Sequence, residues 1–186
     1  MKKKITMIDL FCGAGGFSLG FEQTGHFEIL GAFDSWDYAC KTFRHNHPQY
    51  SESIAQSVDL SEVVTNGKRS KVFNRTKIKR GDVDVIIGGP PCQGLSLAGK
   101  RIGKDPRNSL FLAYAKMVEI LQPKIFVMEN VVGLLTAHSG KIKKAIEGKF
   151  SELGYSFVTH DDPTILKAEC YGVPQFRRRL FFVGFS

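Results

Sequence analysis

The chain lacks any close pair of cysteines. Its four, Cys12, Cys40, Cys92 and Cys170, are widely separated and form no CxxC unit. That excludes a zinc knuckle or a dithiol redox motif, so no metal site is expected. It also lacks an apolar run long enough to span a bilayer, about 20 residues. The basic start at Met1–Lys4 is followed by too few apolar residues before Asp9 for a secretory signal, so a cytoplasmic protein is expected. No internal repeat and no long linker interrupts the sequence. With 186 residues, 42% of them hydrophobic and 24% charged, the expectation is one globular domain spanning 1–186.

Acidic residues are absent from one stretch, and that stretch holds most of the charge. The formal net charge is +8, and Lys68 to Arg80 contains Lys68, Arg69, Lys71, Arg75, Lys77, Lys79 and Arg80 without an acid. The rest of the chain is close to neutral. A concentrated basic segment fits a polyanionic partner such as nucleic acid, and it equally fits a solvated surface loop. It reads as a basic loop over about 66–81, between strands.

Short apolar runs alternate with segments of helical spacing. Ile5–Leu10, Phe27–Phe33, Val83–Ile87, Ile125–Met128, Tyr155–Thr159 and Leu180–Phe185 read as strands. Phe17–Thr24, Tyr38–His45, Leu110–Leu121 and Lys141–Leu153 read as helices, with Asn108 or Ser109 capping the third. Such repetition predicts an α/β fold with a doubly wound, mostly parallel sheet. Ligands of these sheets bind beyond the carboxyl ends of the strands. Asp9–Gly16, Asp34, Gly88–Gln93 and Glu129–Asn130 all fall at such ends.

Glycines after the first strand let a backbone approach a ligand closely and open a helix whose start favours anions. The spacing in Asp9–Gly16 is not the dinucleotide fingerprint. An acid, Asp34, ends the second strand, where ribose hydroxyls are commonly received. Together they point to an adenosine-containing cofactor. Further on, Pro90 and Pro91 stiffen the chain just past a strand and present Cys92 at a defined angle, which suits a nucleophile. Arg177 and Arg179 alternate, so both side chains can serve one site while Arg178 turns away.

In order, Asp-Leu-Phe-Cys-Gly-Ala-Gly-Gly at 9–16, Gly-Pro-Pro-Cys-Gln-Gly-Leu-Ser at 89–96, Glu-Asn-Val at 129–131 and Gln-Phe-Arg-Arg-Arg at 175–179 resemble the DNA (cytosine-5) methyltransferases over essentially the whole chain. The resemblance implies the S-adenosylmethionine-dependent methyltransferase fold, Rossmann-like with an antiparallel last strand. The cofactor would be S-adenosyl-L-methionine, bound mainly by 5–60, with the catalytic part in 82–186. Phe11 would pack on the cofactor, beside Asp9, and Gly13, Gly15 and Gly16 would cradle its methionine part. Asp34 stands where the family usually has Glu and would take the ribose. Asp59, with Leu60, would meet the adenine, and Pro91 and Leu110 would line the adenosine.

For catalysis the resemblance implies Cys92 as nucleophile, Glu129 as acid, and Arg177 and Arg179 holding the target base and its phosphate. Carbon 5 of cytosine is a weak nucleophile until a thiolate adds at carbon 6, and an acid at ring nitrogen 3 offsets the charge that develops. Burial after Ile125–Met128 is expected to keep Glu129 protonated. The base has to leave the duplex, which implies DNA contacts from Gln93, Ser96, Lys100, Arg101 and Gln175. Cys12 and Cys40 read as packing residues, and His45 and His47 as helix-end and turn residues. Family members usually continue into a target recognition domain and a segment that completes the methyl-donor pocket. Here the sequence stops at Ser186, so a fragment, or a second polypeptide supplying the remainder, is expected. The expected reaction is cytosine-5 methylation of DNA in a restriction–modification system. The same chemistry on transfer-RNA-like RNA, or a non-catalytic subunit, are the alternatives.

Overall fold

Apolar runs and amphipathic segments wind into one mixed sheet in the computed structural model, which describes residues 3–67, 70–91, 109–157 and 164–186. Strand β1 (Ile5–Leu10) turns through glycines into α1 (Gly16–Glu22). Strand β2 (Phe27–Asp34) leads to α2 (Asp37–Asn46), and β3 (Ala55–Ser57) to α3 (Glu62–Asn66) and α4 (Lys71–Thr76). Strand β4 (Val85–Gly88) precedes α5 (Ser109–Leu121). Then come β5 (Ile125–Val131), α6 (Lys141–Glu152), β6 (Ser156–Phe157), β7 (Thr164–Lys167) and β8 (Arg178–Phe185).

The strand order is β3-β2-β1-β4-β5-β8-β6, with β7 also paired to β8. Strands β1 to β5 run parallel, and β8 is antiparallel to β5, β6 and β7. This is the expected doubly wound sheet with an antiparallel last strand. The winding reverses between β1 and β4, and that is where ligand crevices open in such sheets.

One face of the sheet is closed by α5 and α6. Phe126 stacks on Phe150 at 4.0 Å, and Tyr114 meets Phe126 edge-on at 6.4 Å. Gly184 of β8 lies so close to the Phe126 ring that no Cβ fits there. The opposite face packs Met7, Ile29, Ala32, Val85 and Ile87 against Phe43 and Cys40 of α2. Val127 of β5 packs on this cluster and Phe17 of α1 meets Phe181 of β8 at 5.8 Å, but among the described residues the cover is incomplete at one end of β5 and β8. Ile125 and Phe185, direct partners in register, remain 38% and 45% exposed.

Two expectations need correction. The strand foreseen at Val83–Ile87 starts only at Val85. Asp84 is the reason: its carboxylate accepts from the backbone and hydroxyl of Thr6 at 3.1 and 3.0 Å and pairs with Lys124 at 2.7 Å. It fastens the starts of β1 and β5 rather than extending a strand. The basic stretch foreseen as a loop over about 66–81 contains a helical turn, α4, because Val72 is buried and Phe73 packs on the core. Lys77, Lys79 and Arg80 remain exposed beyond it. Strands β3 and β7 and helix α3 are additions to the sequence reading. Among the described residues, no helix is long and apolar enough to cross a membrane, and no cluster of ligands could hold a metal.

Candidate active site

At the end of β1 the chain adopts left-handed backbone at Phe11, with φ 61, and again at Gly13 and Gly15. A bulky aromatic residue with positive φ is strained, and such strain collects at binding sites. Here it leaves the ring lining a cleft. The turn is fastened from below: the Cys12 N–H donates to the Phe33 carbonyl at 3.1 Å and the Gly13 N–H to Asp34 Oδ2 at 3.0 Å. The other oxygen of Asp34 accepts from the Trp36 N–H at 2.9 Å. Asp34 therefore couples the glycine turn to the start of α2, as well as standing at the end of β2.

Asp9 is buried beneath the turn and accepts from the Ser18 hydroxyl at 2.7 Å. Burial pushes its carboxyl up to about 7; the Ser18 hydrogen bond opposes that rise and the charge of Asp34 adds to it. The neighbouring Cys40 thiol, and then burial, push the Cys12 thiol up.

Across the cleft, β5 and β8 present the acid and its cations. Arg179 Nε lies 2.8 Å from Glu129 Oε1, and Arg177 reaches the same oxygen at 3.7 Å. Both arginines thus converge as their alternation suggests. Glu129 itself departs from expectation: its side chain is 24% exposed and ion-paired rather than buried among apolar residues. Alternation along β5 explains this, since Phe126 and Met128 face the core while Glu129 faces the uncovered side. Gly89 closes against the acid: a Cβ there would come within 3.1 Å of Glu129 Oε2.

Beside Glu129, Asn130 is buried, and its amide donates to the Pro90 carbonyl at 3.0 Å. It ties β5 to the turn leading into Cys92. Its place in Glu-Asn-Val marked the motif, but no role for it was legible there. The walls formed by Leu166 and Tyr171 were also missed, because β7 and the turn after it carry little apolar patterning. The resulting cleft, about 470 Å³, joins Asp9, Phe11 and Gly16 at one end to Gly89, Glu129 and Arg177 at the other.

Other residues singled out from sequence lie elsewhere. Cys92, Gln93, Ser96, Lys100 and Arg101 fall outside the described residues. Pro91 is exposed and Leu110 half-buried in the first turn of α5. Asp59 is exposed and accepts from the Ser61 N–H at 2.8 Å, just ahead of α3. The Leu60 side chain belongs to the core. Gln175 is exposed, and its carbonyl accepts from the Arg177 N–H at 2.9 Å. Cys40 is core, as foreseen, and His47, read as a turn residue, is fully buried at the end of α2.

Residues 5–186 match the family model of C-5 cytosine-specific DNA methylases. The chain is 43% identical over 184 residues to the type II methyltransferase M1.HphI of Haemophilus parahaemolyticus, covering 97% of this chain and 45% of that protein. To the type II methyltransferase M.AquIA of a Picosynechococcus strain it is 38% identical, covering 99% of this chain and 72% of that one. A crystal structure of a prophage-encoded DNA modification methyltransferase from Escherichia coli superposes with a TM-score of 0.75 at 34% identity. That match covers 98% of this chain and 47% of that one. The chain thus spans less than half the length of M1.HphI and of the E. coli protein.

Proposed function

The chain belongs to the C-5 cytosine-specific DNA methylase family, and from that membership we propose that it carries the catalytic half of a methyltransferase acting on carbon 5 of cytosine in duplex DNA. The likeness to named type II enzymes supports a restriction–modification setting, and a cytoplasmic location is proposed with it. One observation supports the reading above the others. The Glu129 carboxylate, gripped by Arg177 and Arg179 and set against Gly89, shares a cleft with the strained glycine turn of β1.

Open space over the turn supports S-adenosylmethionine as its ligand. A Cβ at Gly13 or Gly16 would meet nothing within 4 Å, so open space lies over both. Phe11 and Gly16 would hold the methionine end, with Asp34 beside the Gly13 N–H on the ribose side. When bound, the cofactor supplies an electrophilic methyl group. The chain's own residues prepare the base. Asn130 and Gly89 set the direction of Pro90–Pro91, and Cys92 follows them in the chain. The Cys92 thiolate would bond to ring carbon 6, and the displaced π electrons would make carbon 5 nucleophilic, while Glu129, in its protonated form, would donate to nitrogen 3 as Arg177 and Arg179 turn from it to the substrate. Once carbon 5 carries the methyl group, a base such as a water molecule would take the carbon 5 proton, its bonding pair would reform the double bond and expel the Cys92 sulfur as thiolate, and Glu129 would recover its proton from nitrogen 3. Arg177 and Arg179 would take the ring carbonyl and a phosphate, which suit guanidinium groups.

Target recognition is assigned to further polypeptide, in the same chain or in a second one. The uncovered apolar face at Ile125 and Phe185 supports this, since a doubly wound sheet buries both faces. The test is transfer of labelled methyl groups from S-adenosylmethionine to duplex DNA, with RNA of the same sequence in parallel. Label on DNA that disappears in Cys92→Ala supports the reading. Label on RNA alone replaces the substrate, and no label on either, even with a complementing C-terminal polypeptide supplied, removes the enzymatic role.

A further inference from the structure

The glycine turn is held from behind by the end of α2. His47 is 1% exposed, and its ring stacks on Phe43 at 4.2 Å. Its Nε2 lies 3.2 Å from the Gly15 carbonyl oxygen and its Nδ1 2.5 Å from Glu22 Oε2. The second oxygen of Glu22 accepts from Gln49 Nε2 at 3.0 Å. One residue earlier, the Asn46 amide donates to the Ala14 carbonyl at 2.8 Å. Two consecutive carbonyls of the turn are therefore gripped by two consecutive side chains, while Asp34 grips the Gly13 N–H from the β2 side.

The fit is mutual. Gly15 has φ 90, and a Cβ there would collide with the His47 and Phe43 rings. The α1 helix is seven residues long, and its N-cap, Gly15, contributes no side-chain hydrogen bond. So short a helix does not fix its own start. The single imidazole binds Gly15 at the start of α1 and Glu22 at its end, which sets the helix and its leading turn as a unit.

We infer that His47, assisted by Asn46, is a positioning residue for the cofactor turn: it fixes the Ala14–Gly16 backbone so that the turn meets its ligand without reorganising. Preorganisation of this kind lowers the ordering cost of binding. The inference rests on the cofactor reading given above.

The test is His47→Phe, which keeps the ring volume and the stacking and removes both hydrogen bonds. Its predicted effects are a rise of about tenfold or more in the Kd for S-adenosylhomocysteine by calorimetry and faster amide exchange at Gly13–Gly16 in the ligand-free protein. His47→Gln, which retains a donor for the Gly15 carbonyl, recovers part of both. Unchanged exchange at the turn in a folded His47→Phe protein overturns the inference. Wild-type protein that does not bind S-adenosylhomocysteine contradicts the cofactor reading instead, and ligand-free exchange still decides the clamp. Should His47→Phe fail to fold, Asn46→Ala at its exposed position is read the same way: faster exchange at the turn supports the clamp, unchanged exchange overturns it.

Discussion

Arg179 on β8 places its Nε 2.8 Å from Glu129 Oε1 on β5. The two positions are diagonal neighbours on one face of an antiparallel pair: Glu129 faces Phe181, and Val131 faces Arg179. Antiparallel pairing therefore brings the Arg179 guanidinium over the acid. The pair is only about one-quarter exposed on each side, so the desolvation of both charges offsets much of their attraction and its net contribution to stability is small. Its value is geometric. Arg179→Lys, which replaces a fork by a point charge, is expected to lower methyl transfer by about tenfold to a thousandfold. The melting temperature should hardly move. Equal losses of activity and stability would show the pair to be structural.

Asp9 makes a prediction about pH. Its carboxyl titrates at about 7 in the folded protein against an ordinary 3.8. A carboxyl raised on folding binds its proton more tightly in the native state. Stability is then greatest below about 4 and declines as pH rises through about 7. Asp9→Asn keeps an acceptor for Ser18 and removes the titration. It should flatten the decline and stabilise the protein at pH 8 by roughly 1–3 kcal/mol, as read from urea unfolding at pH 5 and pH 8. A variant whose pH slope matches wild type would assign the slope elsewhere.

Much of this site was legible in sequence because it uses backbone-restricting residues at strand ends. Glycines after Leu10 and prolines after Gly88 mark strand ends, whereas Glu129, read as following a strand, lies within β5, which runs on to Val131. Their chemistry is carried by neighbours in the chain. Asn130 and His47 were not legible in the same way. Their roles depend on carbonyls 40 and 32 residues distant, and nothing local distinguishes His47 before Pro48 from an ordinary turn residue. Strand β7 was invisible because backbone pairing with β8, not apolar patterning, makes it a strand. The Glu129 expectation failed for a related reason. Apolar neighbours in sequence occupy alternate faces, so they say nothing of what surrounds the residue between them.

Asn130 is expected to couple stability to catalysis. Its amide is the buried partner of the Pro90 carbonyl. Asn130→Ala leaves that carbonyl without its donor, costing about 1–3 kcal/mol in unfolding free energy. It also loosens the turn that leads to Cys92, so kcat should fall further than the folded fraction does. Full activity in the folded fraction would remove Asn130 from the positioning of that turn.

The basic stretch can be tested through its exposed members. Replacing Lys77, Lys79 and Arg80 by Ala should weaken DNA binding and reduce the slope of log K against log salt by up to about 3. An unchanged slope would place the stretch outside the DNA interface and favour the solvated-surface reading.

The account stands most directly on covalent capture of the base. Duplex DNA carrying 5-fluorocytosine blocks the last elimination, so a competent thiolate stays bonded to carbon 6. With S-adenosylmethionine present, the prediction is a denaturation-resistant protein–DNA adduct whose linked peptide contains Cys92, absent in Cys92→Ala and reduced in Glu129→Gln. An adduct mapped to another residue, or one that survives in Cys92→Ala, would contradict it.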